Sequence, residues 1–180
     1  MKWLNEPKQW TEQDEVVTLN ADPKTDFWRL THDGLVRNNG HFYYQDVEGD
    51  FRCEVTLEGS YRDLYDHAGL MLRLDDTTWL KCGVEFVDGI QQASVVVTRN
   101  FSDWSVVTMI NHPKSVRLRL ERGEGTVTTS YALENEEYTM LRQSYLTEAH
   151  TLQMGMMCAA PKGGGFPATF RDFSIQDTEG

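Results

Sequence analysis

The chain has 180 residues, enough for one domain with a sizeable core, and carries 28 acidic against 17 basic side chains for a formal net charge of −11. That balance argues against nucleic acid and anionic membranes as partners, since both select a cationic surface. The N-terminal MKWLNEPKQW lacks an apolar signal-type stretch and no run approaches the length of a membrane span, so the expectation is a cytoplasmic protein.

From the N-terminus, Trp3-Leu4-Asn5-Glu6-Pro7 reads as a short extended entry. Residues 10–20 continue as one strand, with Val17 and Leu19 on a common face, and Asp22-Pro23 ends it. Asp26-Phe27-Trp28 is a brief aromatic segment before an Asp33-Gly34 turn. Asn38-Asn39-Gly40 then turns into an aromatic strand over 41–46. Glu48-Gly49-Asp50 leads to a strand over 51–58, where Phe51, Cys53, Val55 and Leu57 alternate with Arg52, Glu54, Thr56 and Glu58.

Residues 68–105 are the most informative stretch and read as three consecutive antiparallel strands. Ala68, Leu70, Leu72 and Leu74 alternate with Gly69, Met71 and Arg73; Leu80, Cys82, Val84 and Phe86 alternate with Trp79, Lys81, Gly83 and Glu85. Keeping Arg73 off the apolar face demands an odd-numbered loop within 74–78, of about three or five residues, because a slip of one would invert the strand. Asp88-Gly89 is a two-residue hairpin signal. It pairs Val84 with Ala93, Cys82 with Val95 and Leu80 with Val97, and sets Lys81 beside Val96, Glu85 beside Gln92 and Trp79 beside Thr98. Beyond Asn100 to Asp103, the register of 104–110 is open to either parity.

Residues 115–122 alternate Val116, Leu118 and Leu120 with Arg117, Arg119 and Glu121, and Gly123-Glu124-Gly125 turns into a Thr-rich strand over 126–133. Residues 138–143 read as a further strand, although 135–145 also suits a helical turn or two. A Met-rich strand over 150–158, a glycine loop over 161–167 and a closing strand over 168–175 complete the chain. About a dozen short strands, with turn signals every eight to twelve residues or so and no long helical period, predict an all-β, two-sheet antiparallel jelly-roll sandwich forming a single domain over 1–180.

Cys53, Cys82 and Cys158 are odd in number, lack metal-ligand spacing and sit at apolar parity, as buried reduced thiols do. His32, His41, His67, His112 and His150 are dispersed. No cofactor or metal is expected, and Gly163 to Gly165 lacks the strand–loop–helix context of a phosphate cradle.

The segments AGLMLR (68–73), WLKCGVEFVDG (79–89), SVVVT (94–98), SDWS (102–105), VRLRLERG (116–123) and the closing MGMMCAAPKGGGFPATFRDFSI together resemble, over nearly the whole chain, domain of unknown function 1349, the regulation-of-enolase type. The resemblance implies a concanavalin A-like lectin/glucanase fold with a concave face where relatives of the wider superfamily bind or cleave glycans. It carries no catalytic set across.

The face opposite the apolar side of the central block is the candidate ligand-binding site. His67, Met71, Arg73, Trp79, Lys81 and Glu85 share it by parity, Glu54 joins from a neighbouring strand, and Trp104 is a rim aromatic. Gly69 and Gly83 remove bulk and open the backbone to a ligand. An aromatic platform beside charged donors and acceptors suits a saccharide, phosphorylated or acidic ones included, and a solvated sheet face with cross-strand ion pairs is the plainer alternative. The leading expectation is therefore non-catalytic carbohydrate recognition on the concave face. A regulatory protein-interaction module, pairing with a partner or as a homodimer, is the alternative. A glycoside hydrolase comes third: the strand around Lys81 to Glu85 carries a single acid where such an enzyme needs two carboxyl groups, leaving only a Glu54/Glu85 pair across strands.

Overall fold

The computed structural model describes residues 1–178 and contains sixteen strands there and no helix. The last two positions of the expected 1–180 domain lie outside the described residues. Two seven-stranded antiparallel sheets face each other. The first runs β1 (Lys2–Leu4), β6 (His41–Glu48), β15 (Thr151–Ala159), β8 (His67–Asp75), β9 (Thr78–Val87), β10 (Ile90–Arg99), β11 (Phe101–Thr108). The second runs β14 (Thr139–Tyr145), β13 (Thr126–Leu133), β12 (Val116–Gly123), β7 (Phe51–Gly59), β16 (Pro167–Asp177), β3 (Val16–Asn20), β2 (Gln9–Gln13). A small hairpin, β4 (Phe27–Arg29) and β5 (Val36–Asn38), belongs to neither.

Period-two alternation builds the core. Leu70, Leu72, Leu80, Cys82, Val84 and Val95 of the first sheet meet Cys53, Val55, Leu57, Leu118, Leu120 and Phe170 of the second, all buried in one cluster. Each large apolar side chain so removed from water contributes about 1.5–3 kcal/mol. The three cysteines are free and buried, and burial pushes the Cys82 thiol up to about 12.

The register of the central block is the one the turns dictate. Val84 opposes Ala93, Cys82 opposes Val95, and Asp88 and Gly89 both take positive φ, 50° and 80°. His67 opposes Glu85 and Arg73 opposes Trp79, the register of a three-residue loop. A bulge at Leu74 and an Asp76-Thr77 turn achieve it, with Asp75 Oδ1 accepting from the amides of Thr77 and Thr78.

Two expectations change, and one open alternative closes in favour of the strand. Residues 10–20 are a hairpin rather than one strand, because Asp14 and Glu15 both adopt positive φ, 50° and 63°, and fold β2 back on β3. Residues 135–145 contain no helix; their alternation is satisfied as edge strand β14 on β13. The strand expected after Asp103 already starts at Phe101, turning at Asn100, which sits at φ 67°.

The largest departure concerns the outer face of the first sheet, which is covered rather than wet. The segment from Asp22 to Gly40 crosses it. His41 anchors its start, with Nε2 accepting from the Asp22 amide at 2.9 Å and Nδ1 donating to the Asn5 carbonyl at 2.6 Å. Ser102 Oγ accepts from the Arg29 amide at 2.9 Å and holds its middle to β11. Beneath it Phe27, Phe42, Met71, Trp79, Val96 and Met157 form a second small core. Gly40 lies so close to the Phe27 ring that a Cβ there would fall 2.4 Å from it. By contrast, the outer face of the second sheet is the solvated one, laced by Arg52–Glu121 at 2.7 Å, Arg119–Glu54 at 2.6 Å and Arg171–Glu58.

Trp79 is fully buried with its ring edge-on to Phe27, centroids 6.2 Å apart. It is a core residue, not the ligand-facing aromatic platform expected of it. Trp79→Ala should therefore lower unfolding free energy by about 3–5 kcal/mol in a denaturant melt, whereas an exposed platform would cost almost nothing. Gly83→Ala should cost about 3 kcal/mol or more, since a Cβ there would meet the Ala68 carbonyl oxygen at 2.0 Å. Both melts are read against the wild-type chain.

Candidate functional site

Strand register sorts the outer face of the first sheet into four rows. His67, Glu85 and Gln92 form the first; Gly69, Gly83 and Ser94 the second; Met71, Lys81, Val96 and Trp104 the third; Arg73, Trp79, Thr98 and Ser102 the fourth. The expected site residues thus share one face, with one exception. Glu54, with Arg52, lies on β7 of the opposite sheet, on its solvated side and paired to Arg119. The Glu54/Glu85 carboxyl pair required for hydrolysis does not exist, because the whole sandwich separates the two strands.

The fourth row is closed. Arg73 donates to Gln153 Oε1 at 2.7 Å and pairs with Asp76. Thr98 and Ser102 hydroxyls bond each other at 2.8 Å, and Trp79 is sealed under Phe27. Met71 is fully buried in the same small core. None of these side chains is open to a ligand.

The first three rows hold a polar cluster that the covering segment leaves incompletely satisfied. Lys81, 3% exposed, reaches Asp26 Oδ1 at 3.4 Å. Glu85 Oε2 accepts from Ser94 Oγ at 2.6 Å and from Trp104 Nε1 at 2.8 Å. Burial pushes the Glu85 carboxyl up from its ordinary range, against the opposing pull of Lys81 and those two donors. His67 is 1% exposed and neither ring nitrogen has a partner, nor does Gln92 Oε1. Burial first, and the Lys81 charge second, hold His67 well below 6.5, so the ring is neutral. His41 provides the contrast, since both of its ring nitrogens are used.

Trp104 stands at the edge of this cluster, 39% exposed, with the Tyr65 ring perpendicular to it at 6.1 Å. Tyr65 is held at φ 69°, a left-handed conformation that costs a bulky residue about 1–3 kcal/mol. Its amide donates to the Phe86 carbonyl at 2.7 Å, which fixes the turn. Asp26 was not legible as a site residue because it arrives from a loop of distant sequence, and Tyr65 was not because it lies in the turn before β8, where strand alternation assigns no face. Ser94 and Gln92 were partly legible, through the Asp88-Gly89 register. Gly69 and Gly83 oppose each other, and a Cβ at either would strike the neighbouring backbone at 2.0 Å. Their first requirement is therefore close strand approach, and the trough they leave on this face is its by-product.

Two surface depressions, of about 310 and 500 Å³, lie beyond the other end of the sheet around Gly49, Asp50 and His150, away from this cluster. Their walls carry Asp46, Glu48, Asp177, Glu124 and Glu148, with Arg122 already donating to the Ala149 carbonyl at 2.7 Å.

Fold and site together define a two-sheet antiparallel jelly-roll sandwich with a part-buried polar cluster on the outer face of one sheet. Within that class the chain belongs to the family described as Protein of unknown function (DUF1349), which matches residues 3–178. It is 35% identical over 173 residues to Regulation of enolase protein 1 of Saccharomyces cerevisiae, covering 96% of this chain and 87% of that one. The crystal structure of a functionally unknown protein from Saccharomyces cerevisiae superposes with a TM-score of 0.95 at 35% identity, over 99% of this chain and 97% of the other. A xylan beta-1,4-xylosidase from Bacillus halodurans shares the fold at a TM-score of 0.72 and 16% identity, over 90% of this chain but 33% of the enzyme. At that identity the likeness is one of fold alone.

The neutral, unpartnered His67 sets a pH signature. Its folded pKa lies below its unfolded value of 6.5, so the unfolded chain binds more protons between the two, and stability falls as pH drops below 6.5. Glu85 and Asp66, both raised by burial, work in the opposite sense: their contribution improves as pH falls through their raised values. The difference between wild type and His67→Leu isolates the histidine. Below pH 6.5 that difference should shift by up to about 1.4 kcal/mol per pH unit in favour of the variant, and should be flat above pH 7. Denaturant melts across the pH series provide the measurement.

Proposed function

We propose that this chain is a non-catalytic binding module that holds a saccharide-sized, polyhydroxylated ligand on the outer face of the first sheet, against His67, Glu85, Gln92, Lys81 and Trp104. The observation that carries the reading is a row of buried hydrogen-bonding groups left without partners on the outer face. His67 offers two unpartnered ring nitrogens and Gln92 an unpartnered oxygen, all buried. Buried polar atoms are nearly always satisfied, and leaving one bare costs about 1–3 kcal/mol. A ring with several hydroxyls supplies donors and acceptors together, and the exposed part of Trp104 gives its apolar side a surface.

Catalysis is the weaker reading. Glycoside hydrolysis needs two carboxyl groups about 5–10 Å apart across a scissile bond. Beside Glu85 the neighbouring acid on this face is Asp26, which already serves Lys81.

A second reading rests on a different observation. β11 ends its sheet, so one side of its backbone is unpaired, and it exposes Phe101, Trp104, Val106 and Val107. Long apolar edge strands invite a further strand, and a second copy meeting it across a two-fold axis satisfies that need symmetrically. A regulatory interaction module, in keeping with the name of the yeast relative, would use this edge.

Calorimetric titration of mono- and disaccharides separates the two. On the saccharide reading, wild type binds at least one sugar, and Trp104→Ala and Gln92→Leu each weaken it by about tenfold, roughly one lost hydrogen bond to a buried group or more. Absence of heat across the whole panel, or affinities indifferent to both substitutions, removes that reading. On the edge-strand reading, light scattering reports a dimer that Val107→Lys dissociates.

A further inference from the structure

The charges around the cluster say what kind of saccharide it takes. This step rests on the saccharide reading above and refines it. The groups facing the site are Lys81, Asp26, Glu85, the neutral His67 ring and the Tyr65 phenol. Lys81 pairs with Asp26 at 3.4 Å, and the Glu85 carboxyl, which feels Lys81 only at longer range, makes no ion pair of its own among the described residues. Three basic residues of this face and of its covering segment are committed elsewhere. Arg73 bonds Gln153 and Asp76, Arg29 donates to the Asn100 carbonyl at 3.1 Å, and Lys24 donates to the Lys162 carbonyl at 2.6 Å. A phosphate or carboxylate would enter a part-buried site that sets two carboxyl groups against one ammonium, in a chain whose formal charge is already −11.

The hydrogen-bonding balance points the same way. Gln92 Oε1 and one ring nitrogen of neutral His67 are buried acceptors without a partner, and Glu85 Oε1 accepts nothing among the described residues. Against these stand the other His67 nitrogen and the remaining Lys81 protons. Next to the carboxylate, the Trp104 and Tyr65 rings meet edge to face at 86°, so an organic cation beside Glu85 also finds an aromatic surface. We infer that the ligand carries a protonated amine: the cluster selects an amino sugar in its ammonium form over neutral and phosphorylated sugars. The ammonium sits at Glu85 against the two rings, and ring hydroxyls engage His67, Gln92 and Lys81. This reverses the preference for acidic sugars that Arg73 and Lys81 suggest in the sequence.

The test is calorimetry on the full chain with glucosamine, glucose, N-acetylglucosamine and glucose 6-phosphate at neutral pH and matched ionic strength. Glucosamine should bind about tenfold more tightly than glucose or N-acetylglucosamine, with glucose 6-phosphate weakest. Glu85→Gln should reduce glucosamine to the level of glucose. Raising the pH through the ligand amine's own pKa should do the same on the unaltered protein, which keeps the test independent of whether the variant folds. Equal affinities for all four sugars, or strongest binding by glucose 6-phosphate, overturn the inference and leave the saccharide reading standing. No binding by any of them removes the saccharide reading, and the inference with it.

Discussion

The pairing of β9 with its two neighbours holds the whole candidate site in place. With Asp88 and Gly89 both at positive φ, β10 can return in one register, and the bulge at Leu74 sets β8 to match. Shifting β9 by one residue against its neighbours would send Lys81 and Glu85 into the hydrocarbon between the sheets and expose Cys82 and Val84. The expense of such a slip is what keeps His67, Glu85 and Gln92 in line across three strands. A polar cluster assembled from strands rather than loops is held as rigidly as the sheet itself.

Much of this was legible because a strand has an unforgiving period. Ala68 to Glu85 displays its two faces in the sequence, and the hairpin dipeptide states the partner of each residue. What could not be read was how many layers would stack on those faces. Trp79 and Met71 look like residues of a solvated side until Phe27, about fifty positions earlier, is known to cross over them. Nothing local announces that crossing; it depends on His41 gripping Asp22 and on Ser102 gripping Arg29, contacts between segments far apart in the chain. The hairpin at Asp14-Glu15 escaped for the opposite reason: its turn is local, but its second position is a glutamate, which lacks the preference for that conformation that glycine or asparagine would have announced. Glu54 was misplaced because alternation gives a side chain's face and is silent about which sheet its strand joins.

The covering segment changes the electrostatics as well as the packing. Lys81 on an open sheet would be an ordinary surface cation worth little. Under the 22–40 segment it is dry, and Asp26 becomes its necessary counterion: losing either partner alone would strand a buried charge, a far larger penalty than the pair's own net gain. Glu85 is placed differently, receiving two neutral donors in place of a cation. Such an arrangement stabilises the carboxylate incompletely and leaves it responsive to whatever arrives beside it. Tyr65 adds to this, since a bulky residue kept in left-handed backbone persists only where surrounding contacts impose it.

A last consequence follows from the burial of β8 and β9 on both sides. Most residues in the middle of these strands, of either parity, are sealed from water, whereas β11 and β14 are largely open. Amide protons of the two inner strands can therefore exchange with solvent only when the sandwich opens as a whole, while those of the outermost strands escape through local fraying. The backbone beneath the candidate site is thus the slowest-breathing part of the molecule, and its exchange clock keeps time for the entire fold.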